Sequence, residues 1–321
     1  MTTKAETVVP SQQVGKKRLG FWIDLFQRLI REKPLGTFGL FVVVLLFFTG
    51  IFANFIAPYP VNAVHIADRL SAPSVRYILG SDQLGRDTLS QIIYGARISM
   101  IIGVFGTLLS KLISTVIGVT SGFFGGKFDM ILQRFVDAFM AMPQLLVLMT
   151  IISIIGNGTF QIVVVLGITT GISSSRVIRS AVIAIKSNMY VQAADAIGCG
   201  SIRTMTRHIL PNIMAAIIID ATIIMGAIIM LEASLSFLGY GLPPDVPSWG
   251  AMLSTGTETY MQASPWLALW PGLALATVVY GINMFGDALR DLIDPRLRGG
   301  VGRYTLKDKI FKKLKESFGN H

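Results

Sequence analysis

"IMAAIIIDATIIMGAIIMLEASLSF" runs from Ile213 to Phe237, and across those 25 residues only Asp220 and Glu232 carry charge. A bilayer core needs about 20 mostly apolar residues per helix. This stretch meets that requirement without the two-residue alternation of a barrel strand, so it predicts a membrane-spanning helix. Five further stretches read the same way: Thr37 to Ile56, Ile98 to Ser121, Phe135 to Ile155, Phe160 to Ile178 and Trp266 to Phe285. The fourth is the shortest and is diluted by "GITTGISSS" at Gly167–Ser175. Composition agrees: 52% of the 321 residues are hydrophobic and 14% charged, against roughly 25% charged in ordinary soluble domains. The expected fold is an all-α polytopic membrane protein with six transmembrane helices.

Lys and Arg collect in cytoplasmic loops. Basic residues crowd both tails, Lys4 to Lys33 at one end and Arg290 to Lys315 at the other, and the segment holding Arg176, Arg179, Lys186, Arg203 and Arg207. Gly156–Thr159 and Gly239–Pro265 contain none. Both termini are therefore expected in the cytoplasm. This divides the chain into a tail (1–36), a six-helix domain (37–290) with outer loops at 57–97 and 239–265 and a cytoplasmic loop at 186–211, and a basic tail (291–321). The net charge of +10 is a topology signal, since no basic, aromatic-interleaved soluble domain is present to bind nucleic acid. Leu19, Trp22, Leu25, Phe26, Leu29 and Ile30 repeat at helical spacing, which suits an amphipathic helix in the membrane interface or against a neighbouring subunit.

Metal and hydrolytic chemistry find little support. Cys199 is the only cysteine, the three histidines His65, His208 and His321 are scattered, and no nucleophile elbow occurs. No metal site and no catalytic residue are expected in this chain. "GGKF" at Gly125–Phe128 lacks both the first Gly and the Ser/Thr of a phosphate-binding loop, so the chain is not its own ATPase.

Between the fourth and fifth spans the apolar pattern breaks at "VQAADAIGCGSIRTMTRHILPN", Val191 to Asn212. It reads as two short helices around a turn made flexible by Gly198 and Gly200. Ser201 is expected to cap the second helix. There Ile202, Met205 and Ile209 form an apolar face, Arg203 and Arg207 lie on another, and Pro211 opens the fifth span. A connection this long with structure of its own tends to be functional.

This loop resembles the hallmark cytoplasmic loop of permease subunits from binding-protein-dependent ABC importers: Glu-Ala-Ala, three residues, Gly, nine residues, Ile, one residue, Leu-Pro. Gln192, Ala193, Ala194, Gly198, Leu210 and Pro211 follow that pattern, with Gln192 in place of Glu and His208 in place of Ile. "LGSDQLGRDTLSQIIYGARISM" (79–100), "GFFGGKFDMILQRFVDAFMAMP" (122–143), "LEASLSFLGYGLPPDVPSWGAML" (231–253) and "GDALRDLIDPRLRG" (286–299) look like the dipeptide, oligopeptide and nickel branch, in particular its second permease subunit.

The resemblance implies a non-catalytic subunit in a bacterial inner membrane, forming half of a translocation pathway for peptides. Its implied partners are a homologous second permease, two cytoplasmic ATPase subunits that bind ATP and Mg, and an extracytoplasmic solute-binding protein. The coupling residues it implies are Gln192, Ala193, Ala194, Asp195, Gly198, Gly200, Arg203, Arg207, His208, Leu210 and Pro211. A stand-alone secondary carrier or channel is the alternative class, and a nickel or other metal chelate the alternative cargo.

Ionisable residues inside spans are costly and therefore candidates for function. Lys111 lies about 20 Å into the second span and Asp220 about 12 Å into the fifth from the opposite side, so their depths nearly coincide in a core of about 30 Å. They are expected to pair or to face the path. Glu232 should lie near the outer surface. Pro243 and Pro244 stiffen the loop that follows, and Trp249, with Trp266 and Trp270, suits the membrane interface. That loop is expected to shape an outer gate or meet the binding protein. Pro143 should kink the third span, with Asp129, Arg134 and Asp137 near its inner end paired with each other or with neighbouring loops.

Overall fold

The computed structural model describes residues 26–293; Leu19, Trp22, Leu25 and the basic C-terminal tail fall outside them. Residues 26–32 are helical, with Leu29 packed against Ala288 and Leu292. There follow α1 (Pro34–Ile51), α2 (Thr88–Phe124), α3 (Gly126–Met140), α4 (Gln144–Ile155), α5 (Thr159–Lys186) and α6 (Met189–Ala196). A continuous α7 (Ser201–Phe237), α8 (Trp249–Glu258) and α9 (Trp266–Ile293) complete the described part. Among the described residues the only β-pairing is an isolated bridge between Ser81 and Asp87.

Helices α1, α2, α5, α7 and α9 are each long and apolar enough to cross a membrane. The third predicted span differs from expectation. Instead of one kinked helix over Phe135–Ile155, the chain forms α3 and α4 at 86° to each other. Proline has no N–H to donate and disfavours helical geometry in the residue before it. Helix α3 therefore stops at Met140, and Pro143 becomes the residue that precedes α4.

Small residues hold the centre together. A methyl group on Gly118 of α2 would sit 2.7 Å from both Ile178 Cβ and Ser175 O of α5, and one on Gly171 of α5 would sit 2.9 Å from Ser110 O of α2. The two backbones thus touch with no side chain between them. This is how helices associate in lipid, where no hydrophobic force drives them together and close packing must do so.

Around this contact lie three apolar clusters. Ile102 of α2 meets Leu148 and Ile152 of α4, Ile162 and Leu166 of α5, and Ile228 and Leu235 of α7. Val119 and Phe123 meet Ile178, Val182, Ile209 and Ile213 near the 191–212 segment. Val42 and Leu46 of α1 meet Trp249 of α8 and Ile282 of α9.

The long connection from α1 to α2 is built on carboxylates. Asp82 accepts from the backbone N–H groups of Leu84 and Arg86 and from Arg86 Nε, at 2.7–2.8 Å. Asp87 caps α2 by accepting from Ser90 N at 2.8 Å, a standard way to satisfy a first-turn donor. The Tyr77 hydroxyl donates to Asp68 at 2.9 Å, and burial first, then this bond, pushes the phenol above its ordinary range. Arg76, beside the same carboxylate, is likewise pushed up.

Because overpacking of this kind costs about 1–3 kcal/mol, Gly118→Ala should lower the melting temperature of the detergent-solubilised protein. Gly226→Ala is the comparison, since its nearest added contact is a looser 3.2 Å and its effect should be smaller. Equal melting temperatures for the two variants would contradict the backbone contact.

Candidate functional site

Two features stand out: the knob between α5 and α7, and the charges inside the bundle. Helix α6 ends in a Schellman turn. Cys199 N–H donates to Ala194 O and Gly198 N–H to Asp195 O, both at 3.0 Å, with Gly198 in the left-handed region at φ +77°. That conformation crowds any Cβ against the backbone, which is why glycine ends helices this way. Gly200, with φ −62°, precedes the next helix, so Ser201 is its first residue and makes no side-chain cap there.

The helix begun at Ser201 does not stop where the fifth span was expected to start. It loosens into a π-helical turn over Thr204–Ile209, where Leu210 N–H donates to Met205 O, and runs on to Phe237. Pro211 supplies no N–H, and the Asn212 side chain instead donates to His208 O at 2.7 Å. Pro211 therefore sits in the first α-helical turn of Leu210–Phe237, as expected, but the π-helical turn before it joins that helix to Ser201 as one rod.

Exposure divides the knob. Ile209, Thr204 and Ala194 are buried, and Met205, His208 and Leu210 are half-buried, whereas Gln192, Ala193, Asp195, Gly198, Gly200, Arg203, Arg207 and Pro211 are exposed. Ile202 departs from the expected buried face: it is 74% exposed, its inward place being taken by Thr204. With Met189 and Ile197 it adds exposed apolar surface beside an open depression lined by Gly200, Ser201, Arg203, Thr206 and Arg207. The apolar members of this surface escaped sequence reasoning, because an isoleucine in a loop looks the same whether it packs inward or waits for a partner.

Within the bundle Lys111 of α2 and Asp220 of α7 meet, both buried. Ser174 of α5 joins them: Lys111 Nζ donates to its hydroxyl at 2.7 Å, and the hydroxyl donates to the Asp220 carboxylate. Three helices are thereby tied at one depth. Ser174 was not singled out from sequence, although the signal existed in the polar run that dilutes the fourth span.

Glu232 is sealed, 1% exposed, and accepts at 2.8 Å from Ser236, one turn on, and from Ser248 just before α8. Trp249 departs from the expected interfacial position. It is buried, and its indole donates to Ile92 O of α2 at 3.1 Å, because the loop folds back as α8 and carries the ring into the core. Pro243 is half-buried and Pro244 exposed; Pro244, with Pro247, lines a cavity of about 370 Å³ between this loop and Asp82 and Arg86.

On the side of the knob, Arg179 of α5 grips Asp129 of α3 through Nε at 2.7 Å and Nη2 at 2.5 Å. Arg176 pairs with Asp137, which also lies 3.7 Å from Arg134. The strongest partners of these carboxylates thus come from α5.

Removing one member of a buried pair leaves an uncompensated charge at a cost of about 3–5 kcal/mol. Lys111→Ala and Asp220→Ala should each reduce the yield and thermal stability of folded protein, and the double variant should recover part of the loss. Wild-type stability and transport in both single variants would dismiss the pair as a structural element.

The family described as "Binding-protein-dependent transport system inner membrane component" matches residues 114–299, and the "N-terminal TM domain of oligopeptide transport permease C" matches residues 20–73. The chain is 35% identical to the oligopeptide transport system permease protein OppC of Bacillus subtilis (strain 168), over 90% of this chain and 94% of that one. It is 33% identical to the dipeptide transport system permease protein DppC of the same organism, over 90% of each chain. It is 34% identical to the glutathione transport system permease protein GsiD of Pectobacterium atrosepticum, over 86% of this chain and 92% of that one. With its spanning helices, the chain is a non-catalytic, multi-pass permease subunit of the bacterial inner membrane, and it belongs to the family of binding-protein-dependent transport system inner membrane components.

Proposed function

We propose that this chain imports peptides as half of an ATP-driven translocation path, and that its 191–212 knob is the element on which ATPase subunits act. The observation that carries the proposal is the continuity of the knob with α7. A displacement of the exposed residues from Ser201 to Arg207 moves a single rod that holds Asp220 at mid-length and Glu232 near its far end. Rigid elements of this kind can convert a small shift at one site into a switch between two packings elsewhere.

In this reading a homologous second permease completes the path. Two ATPase subunits hold ATP and Mg, and an extracytoplasmic binding protein delivers cargo to the face bearing Pro243 and Pro244. Peptide cargo is supported by relatives named for oligopeptides, dipeptides and glutathione. A stand-alone ion-coupled carrier is less well supported, since Lys111, Asp220 and Glu232 are all occupied by partners within the chain.

Purification of the complex tests the reading: ATPase subunits should accompany this chain, and ATP hydrolysis should rise when peptide-loaded binding protein is added. Within that complex, Gly198→Val should uncouple hydrolysis from transport more severely than Gln192→Ala. The left-handed position penalises a side chain by about 1–2 kcal/mol, a factor of roughly 5–30 in the population of the correct turn. Gln192 is exposed, and its side chain makes one long bond of 3.3 Å to Ser187 O. Wild-type transport by Gly198→Val would refute the docking role.

A further inference from the structure

Measured by helical rise from the hairpin after α4, the break between α3 and α4 falls short of the thickness of a hydrocarbon core. Helices α4 and α5 form a hairpin about Gly156–Gly158, with Leu148 and Ile152 of one in the same core as Ile162 and Leu166 of the other. The 12 residues of α4 reach about 18 Å from the hairpin tip at 1.5 Å per residue. The 28 residues of α5 reach about 42 Å, more than the roughly 30 Å of a hydrocarbon core. Helix α4 therefore begins about 12 Å short of the far face, level with the part of α5 just before Ser174. There the chain turns through 86°.

Every residue from Met140 to Leu146 is exposed, and no side chain caps the start of α4. The first N–H groups of any helix lack intrahelical partners, and in hydrocarbon each unsatisfied group costs several kcal/mol. Irregular backbone at membrane depth persists only when covered by protein or bathed by water. One turn before the elbow Asp137 pairs with Arg176, and both side chains are 43% exposed. By the helical rise Arg176 lies about 26 Å from the hairpin tip, still within the span, where charged groups face a bundle interior or a water-filled cavity. Gln144 adds a polar side chain at the elbow itself.

We propose that the α3–α4 elbow, Ala141 to Gln144, forms part of the wall of a water-filled translocation path, and that it faces neither lipid nor a dry subunit interface. The inference rests on the permease reading above. It adds the location of the path on this chain: the side of the bundle where α3 departs from α4, at the level of the Lys111–Ser174–Asp220 tie.

The test uses the complete transport complex in lipid nanodiscs, with Met142→Cys and Gln144→Cys probed by a charged, membrane-impermeant thiosulfonate and labelling read peptide by peptide by mass spectrometry. Cys199, the chain's only natural cysteine, serves as an internal reference in the coupling loop. Phe41→Cys and Leu45→Cys, on the exposed apolar face of α1, serve as lipid-side controls. Because a charged reagent partitions poorly into hydrocarbon, the elbow cysteines should label at least about tenfold faster than those controls. Elbow cysteines that label as slowly as the controls, in a complex whose ATPase activity responds to peptide-loaded binding protein, would overturn the proposal. Loss of that response in the unsubstituted complex would instead overturn the importer reading.

Discussion

Where Gly118 of α2 meets Ser175 and Ile178 of α5, no side chain separates the two helices, and the remaining geometry follows from that approach. Only because the backbones lie so close can the Lys111 ammonium on α2 reach the Ser174 hydroxyl on α5 and, through the same cluster, the Asp220 carboxylate on α7. Hydrophobic attraction does not hold helices together in lipid, so close packing and satisfied polar groups must supply the specificity. The glycines provide the first and the Lys111–Ser174–Asp220 tie the second. Each would fail without the other, since a wider gap would leave two buried charges unpaired.

Helix α7 connects the three regions in which polar chemistry is concentrated. At one end it emerges from the exposed knob through a π-helical turn. At its middle Asp220 fixes it to α2 and α5. Near its other end Glu232 takes hydroxyl bonds from its own helix and from the segment entering α8, and α8 in turn lodges Trp249 against α2. The π-helical turn absorbs the irregularity that Pro211 introduces without ending the helix. A proline at the base of a knob would otherwise decouple it from the span it leads into. What the geometry provides is a rigid member that passes from one face of the protein toward the other, exposed at its knob end and buried around Glu232 at the other.

Much of this was legible in the sequence because hydrocarbon imposes a length rule. Long apolar runs located α1, α2, α5, α7 and α9, and the shared depth of Lys111 and Asp220 followed from helical rise alone. The knob was legible because glycine and proline mark turns chemically. The broken third span was not: Pro143 signals a disturbance, but a bend of 86° and a kink of a few degrees begin from the same missing N–H, and packing against α5 selects between them. Trp249 misled for a related reason. Tryptophan suits both a membrane interface and a protein core, and only the return of α8 into the bundle put it in the latter.

The sequence by itself determined five segments long and apolar enough to cross a membrane, where the chain must turn, and which charges would be expensive to bury, since those depend on composition along a single helix. The tertiary structure alone decided which partners relieve that expense. Ser174 joins the intramembrane pair, Ser248 bonds Glu232, and the arginines of α5 hold α3, because hydrogen bonds and ion pairs between helices depend on relative rotation and approach. Those quantities are fixed only when the small-residue faces have met.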